Sequence, residues 1–337
     1  MPGPVTFPSA KVFVGGAKET TPGTPVAPVF TLPLEKFEPE DKFTWLIDKA
    51  LRGSMVDEYG VQQGVSRSEF SMSGPWFGDM GGYLLNNLLG DLTTTGASAP
   101  FTHAFSLLNS GGGQPGTLTF TQWQGLPATN LARQYAGACL SELILKGNAE
   151  SELVMFEAKG MGWASVIAGA IPTSSPTTAQ PMASWRSVLG LAGPASGGTQ
   201  VKTIGSWELT ISRKLKPYYT GQNSQNPFII QRGAVTVAGK LAFTVPADES
   251  AYLYMANNTQ PQFQWIISNG LTLGAALQLQ VDCQAAAFDT TKLNFGSEAI
   301  GYESTFKAVA NSTNAGASGG VSPVKVTLQN AVAAGTF

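Results

Sequence analysis

Charge is what this chain has least of. Only 12% of its 337 residues are Asp, Glu, Lys or Arg, against ~25% in an ordinary globular domain, and they nearly cancel to a net −2. No basic, aromatic-interleaved stripe stands out, which argues against a domain that grips nucleic acid. The single histidine, His103, has no carboxylate or further ligand clustered with it, so it reads as structural, not as a base or metal ligand. The two cysteines, Cys139 and Cys283, lie far apart in strand-like runs and form no metal motif; a reducing compartment leaves them as small buried hydrophobes. No cofactor is expected. A GxSxG elbow is missing, and the glycine-rich Ser110–Gly116 stretch leads into a strand where a phosphate loop needs a helix. Glu142, Glu152 and Glu157 could form a glycosidase-like acid pair, but single carboxylates on alternating strands are normally a solvated face. No run of about 18 apolar residues suggests a membrane span. The opening also lacks the basic start and apolar core of a signal peptide, so the expectation is a protein made and kept in a cytoplasm.

Alternation of period two is what is there. In Ala276 to Gln284, Leu277, Leu279, Val281 and Cys283 fall on one face, with Gln278, Gln280, Asp282 and Gln284 on the other. Thr117 to Thr121, Val235 to Val245 and Val324 to Leu328 repeat the pattern, and their Val, Thr and aromatic content fits strands. A hairpin is expected from Cys139 to Ala158, turning at Gly147 and Asn148. Helices are few: one is expected from an Asp79 N-cap, though weakened by Gly81 and Gly82, and one from Asp248. The class is therefore all-β with few short helices.

The chain also says similar things twice. Residues 64–87 and 233–258 each run from a glycine through an alternating strand and a proline to an Asp-started helix closing in Asn-Asn. FTWLI (Phe43 to Ile47) is answered by SWELTI (Ser206 to Ile211), TLTFTQ by LQLQVDC, and FEAK by FKAV. Chance rarely keeps four elements in register, so the reading is a duplication. It divides the chain into a first domain at 1–167, a Pro/Thr/Ser/Gly-rich linker at 168–200 and a second domain at 201–337. Low surface charge further suggests an exterior meant to meet copies of itself.

The opening GAKETTPGTPVAP (Gly16 to Pro28), the segment SWELTISRKLKPYYTGQNSQNPFIIQRGAVTVAGKLAFTV (Ser206 to Val245) and the close FKAVANSTN with VKVTLQN resemble the major tail tube proteins of long, non-contractile bacteriophage tails. The resemblance implies a β-sandwich flanked by a helix, with strands of neighbouring subunits joined into a β-barrel around a lumen. Rings then stack into a conduit for genome ejection. It implies a virion location and, as partners, further copies of the chain, a tape measure protein, a tail terminator and distal tail proteins. DNA passes without specific binding, and no membrane is involved. Simple members carry one tube domain and form sixfold rings; two domains here favour a trimeric, pseudo-sixfold ring over a hexamer. Glu142, Glu208, Gln278, Gln280 and Asp282 are the lumen-facing candidates, since a polar or acidic wall lets a polyanion slide. Alternation alone does not separate the inside of a tube from its outside. Other readings are a capsid decoration or baseplate protein, or a carbohydrate-binding β-sandwich; the tryptophans at 45, 163, 185, 207 and 265 are scattered, not gathered on one face.

Overall fold

The computed structural model describes residues 9–124, 132–150, 152–168, 172–244, 250–271, 275–295 and 300–337. In chain order the elements are β1 (Phe13–Lys18), β2 (Phe30–Leu32), β3 (Lys36–Asp48), β4 (Gly60–Pro75), α1 (Gly81–Leu88), β5 (Gly90–Thr95), β6 (Phe101–Leu107), β7 (Leu118–Trp123), β8 (Ala132–Asn148), β9 (Met155–Gly162) and β10 (Val166–Ile167). There follow β11 (Ser187–Leu191), β12 (Gln200–Val201), β13 (Ile204–Tyr218), β14 (Ile229–Phe243), α2 (Ser250–Ala256), β15 (Phe263–Ser268), β16 (Gln278–Cys283), β17 (Ala286–Asn294), β18 (Gly301–Ala308) and β19 (Lys325–Asn330). The class is all-β, as the alternation implies, and every strand pair is antiparallel. No helix is long and apolar enough to cross a membrane among the described residues.

The larger sheet is organised by β8. Its second half pairs with β9 on one side and β13 on the other, so that the strands run β3-β4-β9-β8-β13-β14-β18-β17. Its first half pairs instead with β7 and β10. Between the two, Gly137 takes φ 62°, which a side chain resists, and its N–H donates to the Glu19 carboxylate at 2.7 Å. The smaller sheet runs β12-β11-β15-β16-β19-β6-β5. Its last strand in sequence, β19, lies between β6 and β16 and so joins the two ends of the chain. The stretch expected to link the halves contributes β11 and β12 to this sheet.

One pairing order occurs twice in the larger sheet. β3-β4-β9-β8 is answered by β13-β14-β18-β17, and the irregularities recur with it. The hairpin register slips between Phe43 and Trp45 in β3, and between Arg213 and Leu215 in β13. It slips again between Leu140 and Glu142 in β8, and between Phe288 and Thr290 in β17. α1 follows β4 as α2 follows β14.

Aromatic side chains fill the space between the sheets: Trp207 meets Trp265 edge-on at 5.9 Å, and Phe263 meets Phe306 at 5.1 Å. α1 is buried almost all round. Its Asn87 donates to the carbonyls of Gly116 and Ala138 and accepts from the Leu140 N–H, serving backbone that the β8 bend leaves unpaired. The helix does not begin as the sequence implies. Its cap is Met80, with no side-chain bond, while Asp79 accepts from the Thr177 hydroxyl. Gly81 is there for packing, since a Cβ would fall 2.0 Å from the Trp76 ring. The expected cap at Asp248 lies outside the described residues. Cys139 and Cys283 are free and buried. His103 is buried as well, bonded by Thr94, Asn330 and the Val332 carbonyl.

Candidate functional site

The two faces of the larger sheet differ in kind. Along β13, Trp207, Leu209 and Ile211 point into the core, while Ser206, Glu208, Thr210 and Ser212 alternate with them on the opposite face. The same alternation in β4, β8, β9, β14 and β18 places Glu69, Glu142, Lys146, Glu157, Lys159, Lys240 and Glu303 on that second face. The result is a polar wall spanning both halves of the chain.

Its charges are matched locally. Lys146 meets Glu157 at 2.5 Å, Lys159 meets Glu142 at 2.8 Å and Lys240 meets Glu303 at 2.9 Å, each across neighbouring strands. Glu208 is the cross-strand partner of both Lys146 and Lys240. Reading across the strands, Glu157, Lys146, Glu208, Lys240, Glu303 and Lys292 alternate in sign. The hydrogen bond that the Lys146 ammonium donates to Glu157 holds it above its ordinary pKa, and the one that Lys159 donates to Glu142 does the same for Lys159. Each cation thus stands beside a carboxylate. An anion brought to this wall would compete with a neighbour already in place.

Of the five residues singled out in the sequence, Glu142 and Glu208 lie together on this wall. Gln278, Gln280 and Asp282 lie on β16, in the smaller sheet. There the apparently wet face is an internal hydrogen-bond cluster: Asp282 is buried and accepts from Gln264 and Gln280, and Gln264 accepts from the Ala195 N–H. The carboxamides of Gln264 and Gln280 thus converge on the Asp282 carboxylate, and the Pro194–Ala195 loop joins the cluster through Gln264. The lysine partners on the wall escaped notice in the sequence, since the glutamate each one meets lies on a different strand. Only the pairing brings them opposite glutamates.

The larger sheet also ends in two open edges. Among the described residues β3 pairs only with β4, and β17 only with β18. Both edges are solvent-exposed, including Leu293 and Phe295 on one side and Trp45 on the other. A row of unpaired backbone groups invites another strand.

A family model described as phage tail tube protein matches residues 9–330. No curated protein matches the chain.

Proposed function

The chain belongs to the phage tail tube protein family, whose members are structural proteins of the virion tail, and on that premise we propose that three copies close edge to edge into each ring of the tube. The carrying observation is the seam between β8 and β13. It joins the end of one four-strand unit to the start of the next within a single chain, pairing Glu142 to Asn148 with Ser212 to Ser206. The free edges β17 and β3 are the counterparts of β8 and β13, as their bulges align. A second copy placed by the same rule sets Thr290 against Lys42, Lys292 against Glu40 and Leu293 against Pro39. Lys292 then meets a carboxylate across the seam; past Glu40 the next residue in register is Glu69 of β4, so the alternation in sign ends there.

This supports reading the chain as two tube units, one within 1–167 and one within 201–337, with 168–200 between them. Eight strands per copy make a barrel of about 24 strands. At ~4.8 Å spacing and a tilt of about 40° the backbone diameter is of the order of 45–50 Å, which leaves room for a DNA duplex. The core, the smaller sheet and both helices cover one face of the barrel strands. They are bulky and need the longer circumference outside, so the polar wall carrying Glu142 and Glu208 faces the lumen. Ion-paired lysines there release few counterions to DNA, so the genome slides instead of sticking. Chains per ring, counted in a helical reconstruction of purified tubes, test the stoichiometry. Three is the expected number; six around one ring refutes it while leaving the tube itself standing.

A further inference from the structure

An apolar arm stands in solvent at one edge of the molecule. Past Phe43 and Ser66 the β3–β4 hairpin runs on to a tip at residues 49–59, exposing Trp45, Leu46, Ile47, Leu51, Met55 and Val56. Leu51 and Met55 are 101% and 105% exposed. Large side chains left this bare on a folded protein mark a contact surface.

The second hairpin shows what such an arm does. Its tip, residues 219–228, folds onto the preceding unit where β9 leaves β4. The Ser66 N–H donates to the Gln225 carbonyl at 2.8 Å, the Ala164 N–H to the Asn226 side chain at 3.3 Å, and the Gln225 amide to the Gln63 carbonyl at 3.4 Å. The repeated slips fix the counterparts of these receptor residues. Phe43 with Ser66 corresponds to Arg213 with Val235, and Trp45 with Gln63 to Leu215 with Arg232. The last β4–β9 pair, Ser68 with Gly162, corresponds to Val237 with Ala308, so Ala164 corresponds to Ala310.

Val235, Arg232 and Ala310 line one groove of about 630 Å³, whose walls include Val237, Val321 and Pro323. We infer that the arm tip of the next copy fills this groove, with Leu51, Met55 and Val56 against its apolar walls. The receptor is thus the unoccupied twin of the one that the chain's own second hairpin already fills. The inference rests on the ring reading, because only edge pairing of β3 with β17 brings the arm of one copy to the β14 side of another.

Two cysteine pairs separate the two ideas. Glu40→Cys with Lys292→Cys reports the strand edge, and Val56→Cys with Val235→Cys reports the arm in the groove; the native thiols are buried and stay silent. A short bismaleimide added to tubes is expected to give covalent oligomers ending at the trimer with either pair. Linkage at the edge without linkage at the groove overturns the arm contact and leaves the ring. Linkage at the groove alone keeps the contact and sinks the edge register. As an independent measure, replacing residues 49–59 by Asn-Gly is expected to leave the circular dichroism and melting temperature of the unassembled protein unchanged. It should raise the concentration needed for assembly by about tenfold or more, since the buried Leu, Met and Val side chains are lost. Assembly of the shortened chain at the original concentration overturns the inference.

Discussion

With the polar wall facing the lumen as proposed, neutralising its carboxylates should turn a sliding surface into a holding one. In the variant E142Q/E157Q/E303Q, Lys159, Lys146 and Lys240 lose their ion-pair partners, Glu208 alone remaining opposite the last two, and the wall gains three positive charges per chain, nine in a ring of the proposed three copies. Stability changes little. These pairs are largely exposed, and pairs of that kind contribute about 0–1 kcal/mol each, so folding and assembly should survive. Affinity for DNA is where the effect appears. If a duplex in the lumen finds about three of the freed lysines at once, the slope of log K against log salt should be about −2.7, and binding should weaken about 40-fold between 50 and 200 mM salt. Wild-type tubes should show weak binding with little salt dependence. The assay is co-sedimentation of a short labelled duplex with tubes over a salt series, with microscopy to verify that the variant still forms tubes. Intact variant tubes that retain no more duplex than wild type at 50 mM salt would show that this wall does not face the lumen.

Removing the Asn87 amide by Asn87→Ala takes this donor and acceptor from the Ala138 carbonyl and the Leu140 N–H in a buried site, the Gly116 carbonyl keeping Arg232, and should cost about 2–4 kcal/mol in a denaturant titration; a loss under 1 kcal/mol contradicts the role given to it. Gly81→Ala improves intrinsic helix propensity by about 1 kcal/mol, yet should destabilise by about 1–3 kcal/mol because the new methyl meets the Trp76 ring; a rise in melting temperature would refute the packing argument. Burial raises the thiol pKa of both Cys139 and Cys283, so neither should react with a thiol reagent at pH 8 until the chain unfolds, and rapid labelling of the native protein would count against their burial. The Asp289 carboxyl is held below its ordinary pKa by the Thr305 hydroxyl and by Lys307. Its contribution is therefore present above the unfolded carboxylate pKa of about 4 and lost as pH falls through the lower folded value. Asp289→Asn should flatten that acid limb of the stability curve, and an unchanged limb would remove Asp289 as its cause.

Strand existence was legible in the sequence because burial on one side imposes a period of two, and β8, β9, β16 and β19 stand where the alternation puts them. Which side is wet was not. In β16 the Gln278-Gln280-Asp282 series has the same period as the Ser206-Glu208-Thr210 series of β13, yet Asp282 is buried and bonded by Gln264 and Gln280, and Glu208 is on the wall. Alternation counts residues and carries no information about what lies above them. α1 was visible in Tyr83, Leu84 and Leu88, but its start was misplaced by one feature: Asp79 bonds Thr177, a residue nearly a hundred positions on, and so does not cap. β11 escaped because it is short, and it owes its conformation to pairing with β15. The alternating charge row was hidden for a similar reason. Its members are single residues on six different strands, and only register brings them side by side.

The free edges carry their own safeguards against wrong partners. β3 presents Lys36, Glu38, Glu40, Asp41 and Lys42 along the stretch that would pair, interrupted by Pro39, and β17 carries the bulge at Asp289. Charges, a proline and a bulge are each devices that discourage edge-to-edge aggregation. They do not discourage all pairing equally. In the register copied from the β8–β13 seam, Lys292 stands opposite Glu40, whereas a shift by two residues brings it opposite Glu38 or Lys42 and moves the β17 bulge off the place that β8 gives its own bulge beside β13. A shift by one residue turns the apolar side of either strand to the wall. The residues that keep the free chain from adding to itself at random thus also select the register in which it can add, which is what a protein needs if it must stay unassembled at low concentration and yet close into rings when a template is ready.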